Sequence, residues 1–330
     1  MKKVLKGLGY LLGGVLLLAC GGDAGTAPQP PPPNSWVQKA SLPDGPLAGA
    51  VSFVAQGKLY VGTGFRNGFT FAFSEYDPTG DRWTYVVPIP AAPRSNAIAF
   101  VIGDYGYVGL GSNFTCGTPC TFNFFKDLWR FDPRNWAWDR MADFPGTARS
   151  FASSFIIGDK AYVTGGSYAN DYDLWEYDPV ANSWARKADY PGRCVGRGTA
   201  FSIADKGYVG LGASNGYCTD FWRYDPSANS WTAIATFPGL GRYDALGFLV
   251  ANTPFIVGGG REAGNLTDIW TYNSAGDTWV QLETAYPGKG RYQMIAGIVA
   301  GRIFLGLGTT SDTGGLDTRF DDFWEYIPAK

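Results

Sequence analysis

Short runs in which apolar and polar positions alternate recur along almost the whole chain, and they predict β-strands. The clearest run, DLWEYDPVANSW at residues 173–184, places aromatic and aliphatic positions on both sides of an Asp-Pro turn. Alternation with Trp and Tyr is typical of half-buried strands, and Asp-Pro followed by Ala-Asn suits a tight connection. No long helical period occurs in the sequence. The pattern predicts a strand–turn–strand unit within an all-β protein.

This unit is repeated along the chain. Its other copies lie at residues 127–138, 220–231 and 268–279, with a weaker copy at 73–83 and a last one that starts at Asp322. Each copy follows an apolar strand, a turn and a strand that ends in glycines. These endings lie at residues 60–64, 107–111, 162–166, 208–212, 255–259 and 304–308. Four strands per unit, at a spacing of about 45 to 55 residues, predict the blades of a β-propeller, and we count six.

The repeat resembles that of the kelch family. It contains a Tyr-Val-x-Gly-Gly strand at 162–166, a Tyr-Asp-Pro turn at 177–179 and a tryptophan at fixed distance beyond it, Trp184. Copies of these features extend from Trp36 to Lys330. The resemblance implies a six-bladed propeller with four antiparallel strands per blade. It implies little about function, because propellers of this kind include enzymes, glycan binders and protein-interaction modules.

The segment that begins at Trp36 indicates how the ring closes. Residues 36–43 match residues 184–191, the end of a complete repeat, whereas the last repeat lacks the corresponding strand. We therefore expect the Trp36 segment to pair as the outer strand of the last blade, whose other three strands come from residues 291–328. Such closure joins both termini and removes an exposed sheet edge.

The first twenty residues predict an export signal that is separate from the propeller. Lys2, Lys3 and Lys6 precede an apolar run that ends Leu-Leu-Ala-Cys at Cys20, as at a lipoprotein cleavage site. Acyl chains on Cys20 would tether the protein to the bacterial cell envelope, and we expect the outer membrane, on its periplasmic side or its surface. The alternatives are an ordinary signal peptide or a membrane anchor.

A proline-rich linker is predicted at residues 21–35, where residues 30–33 are all proline. Such sequence favours an extended polyproline geometry and does not pack a core, so it suits a spacer. The alternative is a proline-rich ligand for another domain. The predicted organisation is a signal peptide at 1–20, this linker, and a propeller at 36–330.

Charge and composition narrow the classes of partner. A net charge of −2 gives no reason to expect nucleic acid or an anionic membrane surface, so membrane contact is expected through the lipid alone. The sequence has no histidine, which removes the usual copper and zinc ligands and the commonest general base. Galactose oxidase also has a kelch-type propeller, and its copper chemistry is therefore excluded. We predict no cofactor and no metal, in a monomer or a subunit of an envelope complex.

Cysteine positions predict two disulfides on one face of the ring. With blade strands named a to d from the axis outwards, the d–a and b–c connections emerge on the same face. Cys116 and Cys120 share the b–c loop of the second blade. Cys194 precedes the fourth blade, and Cys218 lies in its b–c loop. In an oxidising compartment we predict the bridges Cys116–Cys120 and Cys194–Cys218. A metal site is the alternative, disfavoured by the lack of His and of Cys-x-x-Cys.

Alignment of the repeats with one another reveals two charged columns. The first, four residues past a proline, holds Arg94, Arg149, Arg242 and Arg291, with Leu47 in the first blade and Val195, flanked by Arg193 and Arg197, in the fourth. The second, at the start of strand c, holds Asp127, Asp173, Asp220, Asp268 and Asp322, with Ala72 in the first blade. The first blade lacks both charges, as expected if the columns pair, because a lone buried charge is costly.

A ligand-binding role for the arginines is the alternative, and it is compatible with pairing. Arginines at the start of the innermost strands would face the channel mouth and could hold a carboxylate or sulfate. The family resemblance implies the same region for peptides or acidic sugars. Aromatic residues near Asn, Asp and Arg in the loops suit such ligands, or merely pack their own loops. The candidates are Arg94, Arg149, Arg197, Arg242, Arg291, Arg66, Tyr168, Tyr217, Arg261 and Glu262.

Two functions from different classes follow. The first is a non-catalytic module that captures a glycan or a protein or peptide ligand on its loop face. The second is an enzyme that resembles the kelch-type N-acetylneuraminate epimerase, a sialic acid mutarotase. The arginines would then hold the sugar carboxylate, and a carboxylate such as Glu262 would transfer protons. Opening a sugar hemiacetal needs an acid and a base, so the lack of His does not forbid it. The sequence assigns no catalytic residue.

Overall fold

A computed structural model describes residues 32–117, 119–166, 171–214, 216–311 and 317–328. The predicted signal peptide with Cys20, most of the linker, and Tyr168 lie outside these residues. The described chain contains strands and no helix, and so no apolar helix of membrane-spanning length. In chain order the strands are β1 (Ser35–Lys39), β2 (Val51–Ala55), β3 (Lys58–Gly62), β4 (Phe73–Asp77), β5 (Arg82–Val86), β6 (Ile98–Ile102), β7 (Tyr105–Gly109), β8 (Ser112–Thr115), β9 (Thr121–Phe124), β10 (Leu128–Asp132), β11 (Ala137–Met141), β12 (Ser153–Ile157), β13 (Lys160–Thr164), β14 (Leu174–Asp178), β15 (Ser183–Lys187), β16 (Thr199–Ile203), β17 (Lys206–Gly210), β18 (Ala213–Ser214), β19 (Gly216–Tyr217), β20 (Phe221–Asp225), β21 (Ser230–Ala233), β22 (Leu246–Val250), β23 (Thr253–Val257), β24 (Asp268–Asn273), β25 (Thr278–Ala285), β26 (Ile295–Val299), β27 (Arg302–Gly306), β28 (Thr309–Ser311), β29 (Asp317–Arg319) and β30 (Phe323–Ile327).

These strands form six four-stranded antiparallel sheets, which confirms the predicted six-bladed propeller. In order from the axis outwards, the blades are β2–β5, β6-β7-β10-β11, β12–β15, β16-β17-β20-β21, β22–β25 and β26-β27-β30-β1. Among the described residues, the hairpins β8–β9, β18–β19 and β28–β29 extend the b–c loops of blades two, four and six.

The ring closes as the sequence predicts. β1 pairs antiparallel with β30, in a register that sets Trp36 opposite Tyr326. The Trp36 ring centre lies 4.8 Å from that of Tyr326 and 5.5 Å from that of Tyr286, in the preceding blade. The strand β1 therefore completes the last sheet and covers its outer edge.

The core is divided between neighbouring blades. In the second strand of each blade the last four residues are buried, because the strand lies inside the sheet and packs on both faces. The innermost strands alternate instead, as in β12, where Ser154 and Ile156 are half-buried and Phe155 is buried. One cluster joins Ile98 and Phe100 of blade two to Val163 and Tyr177 of blade three. Each blade is thus stabilised by the next, as expected for a propeller.

The recurring spacing of Tyr, Asn or Asp, and Trp joins blades one, three, four and five to the segment that precedes each of them. In blade three, Asn182 accepts hydrogen bonds from the Tyr177 hydroxyl at 2.9 Å and from the Ala142 amide of blade two at 2.8 Å. The Trp184 indole N–H donates to the Ala142 carbonyl at 3.0 Å. Asn182 has φ of 46°, in the left-handed region that Asn and Asp tolerate best. The repeated motif therefore marks contacts between blades.

Candidate functional site

A ring of six equivalent residues surrounds one mouth of the central channel. Each precedes an innermost strand and has a positive φ, between 48° and 61°. We call these residues the mouth ring: Gly49, Asn96, Phe151, Arg197, Asp244 and Gln293. Their backbones are linked in sequence, with N–H···O distances of 2.8 Å for Asn96 to Gly49, 3.0 Å for Phe151 to Asn96, 3.2 Å for Arg197 to Phe151, 2.8 Å for Asp244 to Arg197 and 3.3 Å for Gln293 to Asp244. The backbone is therefore regular while the six side chains all differ.

Sequence reasoning identified only Arg197 of this ring. Each ring residue lies two positions past the arginine column, and the position after it holds Ala or Gly except at Met294. When the repeats are aligned, the mouth-ring position is therefore recognisable in the sequence: it holds six different residue types and is followed by a position that is mostly Ala or Gly. Such a position is one whose backbone serves the fold and whose side chain is free to vary. Asn96, Phe151, Asp244 and Gln293 are the functional candidates that sequence reasoning missed.

Arg197 and Asp244 form a partly buried ion pair at the mouth. Two guanidinium nitrogens of Arg197 donate to Asp244 Oδ2 at 3.0 and 2.5 Å. The guanidinium carbon lies 4.0 Å from the centre of the Tyr243 ring and 4.7 Å from that of Phe151. The Arg197 side chain is 28% exposed and that of Asp244 is 9% exposed. Burial raises the pKa of the Asp244 carboxyl, although the Arg197 charge opposes this.

Two adjoining cavities open around this pair. The first, about 220 Å³, follows the channel between the innermost strands and is lined by Arg197, Asp244 and small residues such as Ala200 and Gly247. The second, about 420 Å³, lies beside it against blades one, two and six. Asn96, Phe151, Arg197 and Gln293 line both cavities. We call the second cavity the aromatic pocket; its aromatic lining is Phe65, Phe69, Phe114, Phe122, Phe151 and Tyr292.

Loops from three blades build the aromatic pocket. Phe65 and Phe69, in the b–c loop of blade one, have ring centres 5.0 Å apart. Phe114 and Phe122 face each other across the β8–β9 hairpin of blade two, and Phe114 also lies 4.9 Å from Phe69. From β29 of blade six, the Arg319 guanidinium carbon lies 4.6 Å from the centre of the Phe65 ring. The pocket exists because the closed ring brings blades six and one side by side.

The four arginines of the column are interior residues, as the pairing interpretation predicts. Arg149 is 1% exposed and holds both carboxylate oxygens of Asp173, at 2.7 and 3.2 Å. It also donates to the carbonyls of Gly165 at 3.1 Å and Thr147 at 2.9 Å. Burial raises the pKa of Asp173, but hydrogen bonds from Arg149 and Trp175 outweigh burial and lower it below its usual value.

Equivalent pairs join Arg94 to Asp127, Arg242 to Asp268 and Arg291 to Asp322, with every arginine at most 1% exposed. Bidentate geometry and bonds to backbone carbonyls use the donors of these guanidiniums. A ligand at the mouth does not reach them, so the structure supports their structural role.

Blade four replaces the ion pair with a covalent bond. Val195 occupies the arginine position and is buried. Beside it, Cys194 and Cys218 form the predicted disulfide, with an S–S distance of 2.04 Å. The bridge joins the d–a connection to the b–c loop, whereas in blades two, three, five and six an arginine links the d–a connection to the start of strand c. Cys116 and Cys120 are free and exposed, with sulfur atoms 2.8 Å apart. Their predicted bridge is not formed here and stays a prediction for the oxidised protein.

The remaining candidates lie on the rim. Arg66 forms an ion pair with Asp44 at 3.1 Å. The Tyr217 ring centre lies 5.9 Å from that of Tyr243, which packs on Arg197. The Tyr217 hydroxyl accepts a hydrogen bond from the backbone amide of Glu262 at 2.8 Å.

Arg261 lies over the Tyr217 ring at 5.8 Å, and the Glu262 side chain is exposed. The described residues contain no group of Cys, Asp and Glu side chains arranged to hold a metal ion.

Comparisons with known proteins agree with this architecture. A family model described as the kelch motif matches residues 148–189, which contain the whole of blade three. The solved structure of YjhT superposes with a TM-score of 0.70 and covers 84% of this chain and 94% of its own, with 16% sequence identity. At this identity the likeness shows the fold alone. No curated protein matches the sequence.

Proposed function

Since the protein is a six-bladed β-propeller of kelch repeats, we propose that it is a non-catalytic module that binds a glycan or protein ligand at its channel mouth. One observation carries this proposal: a regular backbone ring presents a glycine and five different side chains to two adjoining cavities. Concave sites with a few convergent polar groups are the usual location of ligands. A different residue type at each position of a regular backbone ring suits recognition better than folding.

Arg197 is the best-placed anion-binding residue of the mouth ring. Its Nε and Nη2 are bonded to Asp244, whereas Nη1 has no hydrogen bond to a described residue. The aromatic rings of Tyr243 and Phe151 hold the guanidinium in place and lower the local polarity. An ordered, partly desolvated guanidinium edge suits a ligand carboxylate or sulfate.

Substitution at the mouth tests the proposal. A glycan array and a displayed peptide library, screened with the purified protein, should yield a ligand. Arg197→Met combined with Asp244→Asn removes the charge without leaving an unpaired carboxylate, and it should weaken an anionic ligand tenfold or more, a typical loss for a hot-spot residue. Arg186→Met, on the exposed outer strand β15, is the matched control. Unchanged affinity in the mouth variant, measured by calorimetry, would contradict the proposal.

We also propose that lipid on Cys20 anchors the protein in the bacterial envelope. The charged and apolar segments before Cys20 and the polar, proline-rich sequence after it support this proposal. Growth with an alkyne-labelled fatty acid should label the protein, and Cys20→Ala should abolish the label and release the protein from membranes. A wild-type protein without label would rule the anchor out.

A sugar mutarotase is the second candidate, and Asp244 is the observation that favours it. Its carboxyl has a raised pKa and lies at the mouth beside Arg197, so it is better placed for proton transfer than the exposed Glu262. Exchange between the anomers of N-acetylneuraminate, followed by NMR, should then be accelerated by the protein and return to the uncatalysed rate with Asp244→Asn. If the protein binds the sugar but does not accelerate the exchange, the mutarotase is ruled out and the non-catalytic binding function is retained.

A further inference from the structure

One side of the aromatic pocket is apolar. Phe65, Phe69, Phe114 and Phe122 form its wall, and none of these side chains has a hydrogen-bonding group. Phe114 and Phe122 are 39% and 55% exposed, although rings of this size are normally covered. Exposed aromatic rings that are grouped at one cavity indicate a binding surface.

Polar groups that line the pocket are mostly bonded within the protein. The Tyr292 hydroxyl shares a hydrogen bond with Ser311 at 2.9 Å, and Thr309 Oγ1 donates to the Thr318 carbonyl at 3.0 Å. Asn96 donates to Ser95 at 3.1 Å, and Asp317 accepts from Ser311 at 2.9 Å. A sugar bound against the four phenylalanines would bury hydroxyls that those rings cannot bond, at a cost of about 1–3 kcal/mol for each unpaired group.

Arg319 lines the same pocket and differs from Arg66 and Arg197 in its lack of a carboxylate partner among the described residues. Its guanidinium packs on the face of Phe65 and forms no ion pair with any described residue. Arg197 and Arg66, by contrast, each have an aspartate partner. A half-buried cation that an aromatic ring holds in place, with no anionic partner in the described part of the chain, is complementary to a carboxylate on the ligand.

We propose that the aromatic pocket binds one bulky apolar side chain of a peptide segment, with a neighbouring carboxylate of that peptide on Arg319. This proposal deepens the proposed binding function and rests on it. An extended partner segment in which Phe, Leu or Trp adjoins Asp or Glu presents these two groups together. The phenylalanines supply the apolar contact, and Arg319 supplies the charge that selects among apolar segments.

A displayed library of random linear peptides, selected on the whole mature protein, tests this. Enriched peptides should share a bulky apolar residue beside Asp or Glu. Phe114→Ala and Arg319→Met should each weaken a selected synthetic peptide tenfold or more. Phe71→Ala and Arg82→Met are matched controls, since both side chains are exposed and neither lines the pocket; they should bind as the wild type does.

Charge reversal gives a result that local misfolding cannot imitate. Arg319→Glu should reject the selected acidic peptide and bind its variant with Lys in place of the acidic residue. Selected peptides without the motif, or unaffected by Phe114→Ala and Arg319→Met, would overturn the inference. A glycan that needs Phe114 and Arg319 would overturn it too and assign the pocket to sugars, with the binding function intact. If the screens yield neither a peptide nor a glycan ligand, the binding function itself is refuted.

Discussion

At the scale of single residues, arginines in this protein occupy two kinds of environment. Those of the column, such as Arg149, are buried with their donors bonded to an aspartate and to backbone carbonyls. Arg197, two positions past the same column, has a positive φ that directs its side chain over the channel, where one edge remains free. In the repeat, the arginine-column position therefore holds a buried charge, whereas the position two residues later can present a charge to a ligand.

The Arg149 pair should stabilise the fold and leave ligand affinity unaffected. Arg149→Met leaves Asp173 without its partner in a largely buried site, and we expect the free energy of unfolding to fall by about 3 kcal/mol. Adding Asp173→Asn should recover part of this loss because it removes the uncompensated charge. Urea unfolding measures both free energies. Arg186→Met, in the exposed Arg186–Asp189 pair, is the control and should change the free energy of unfolding little, because solvent screens an exposed pair. Equal effects at residues 149 and 186 would refute the structural role.

The blade-four disulfide should contribute comparably. It closes a loop with a sequence separation of 24, for which chain entropy gives about 3 kcal/mol. Cys194→Ala with Cys218→Ala should lower the free energy of unfolding by about that amount. Cys116→Ala with Cys120→Ala, at exposed free thiols, should change it little. A paired loss at 194 and 218 below about 1 kcal/mol would argue against the bridge as this blade's equivalent of the ion pair.

At the scale of elements, the turn between the third and fourth strands of a blade determines how blades attach. Its left-handed residue is Asp81, Asn182, Asn229 or Asp277 in different blades, and each accepts a hydrogen bond from the tyrosine of its own blade. Each also accepts a hydrogen bond from a backbone amide that follows an outer strand; the donors are Ala40, Ala142, Ala188 and Ala235. Asn and Asp combine tolerance of positive φ with the required acceptor, which explains their recurrence.

Asn182 allows these two contributions to be separated. Asn182→Ala should lower the free energy of unfolding by about 2 kcal/mol, because it strains the backbone and removes an acceptor from Tyr177 and Ala142. Asn182→Gly should restore only the backbone part. Asn182→Asp, the residue that blades one and five use, should be close to wild type. Thermal or urea unfolding distinguishes them, and an Asp variant as unstable as the Ala variant would contradict this account.

At the scale of the whole molecule, closure determines both stability and the site. β1 covers the outer edge of β30, and Trp36 packs on Tyr286 of blade five and Tyr326 of blade six. Closure also places β28–β29 of blade six beside the b–c loop of blade one, where Arg319 meets Phe65. An open arc of the same blades would lack that contact and hence the aromatic pocket.

Removal of β1 should expose the outer edge of β30, which ring closure covers. A chain that begins at Ala40 keeps the Ala40 contacts with Asp81 and Trp83 but leaves β30 as an open edge. We expect a lower urea midpoint and concentration-dependent association, because unpaired edges template further pairing. A chain that begins at Pro32 is the control, and analytical ultracentrifugation measures the association. A monomer as stable as this control would show that β1 is dispensable.

Much of this protein is determined locally, and the sequence predicts it. Strand alternation, turn residues and the repeat spacing each act over a few residues or recur in register, so the six blades and the strand from Trp36 were predictable. The pairing of arginine and aspartate columns followed from their joint loss in blade one, and Cys194–Cys218 from the shared face of two loops.

The candidate site depends on tertiary structure instead. Phe151, Arg197 and Asp244 are non-periodic in chemistry and lie about 45 to 50 residues apart in sequence, a repeat-length separation that only the ring brings to contact distance. Arg319 and Phe65 meet only because the last blade lies beside the first. The sequence by itself determined the blades, since their contacts are local and repeated; the tertiary structure decided the site, since its contacts are long-range and occur once.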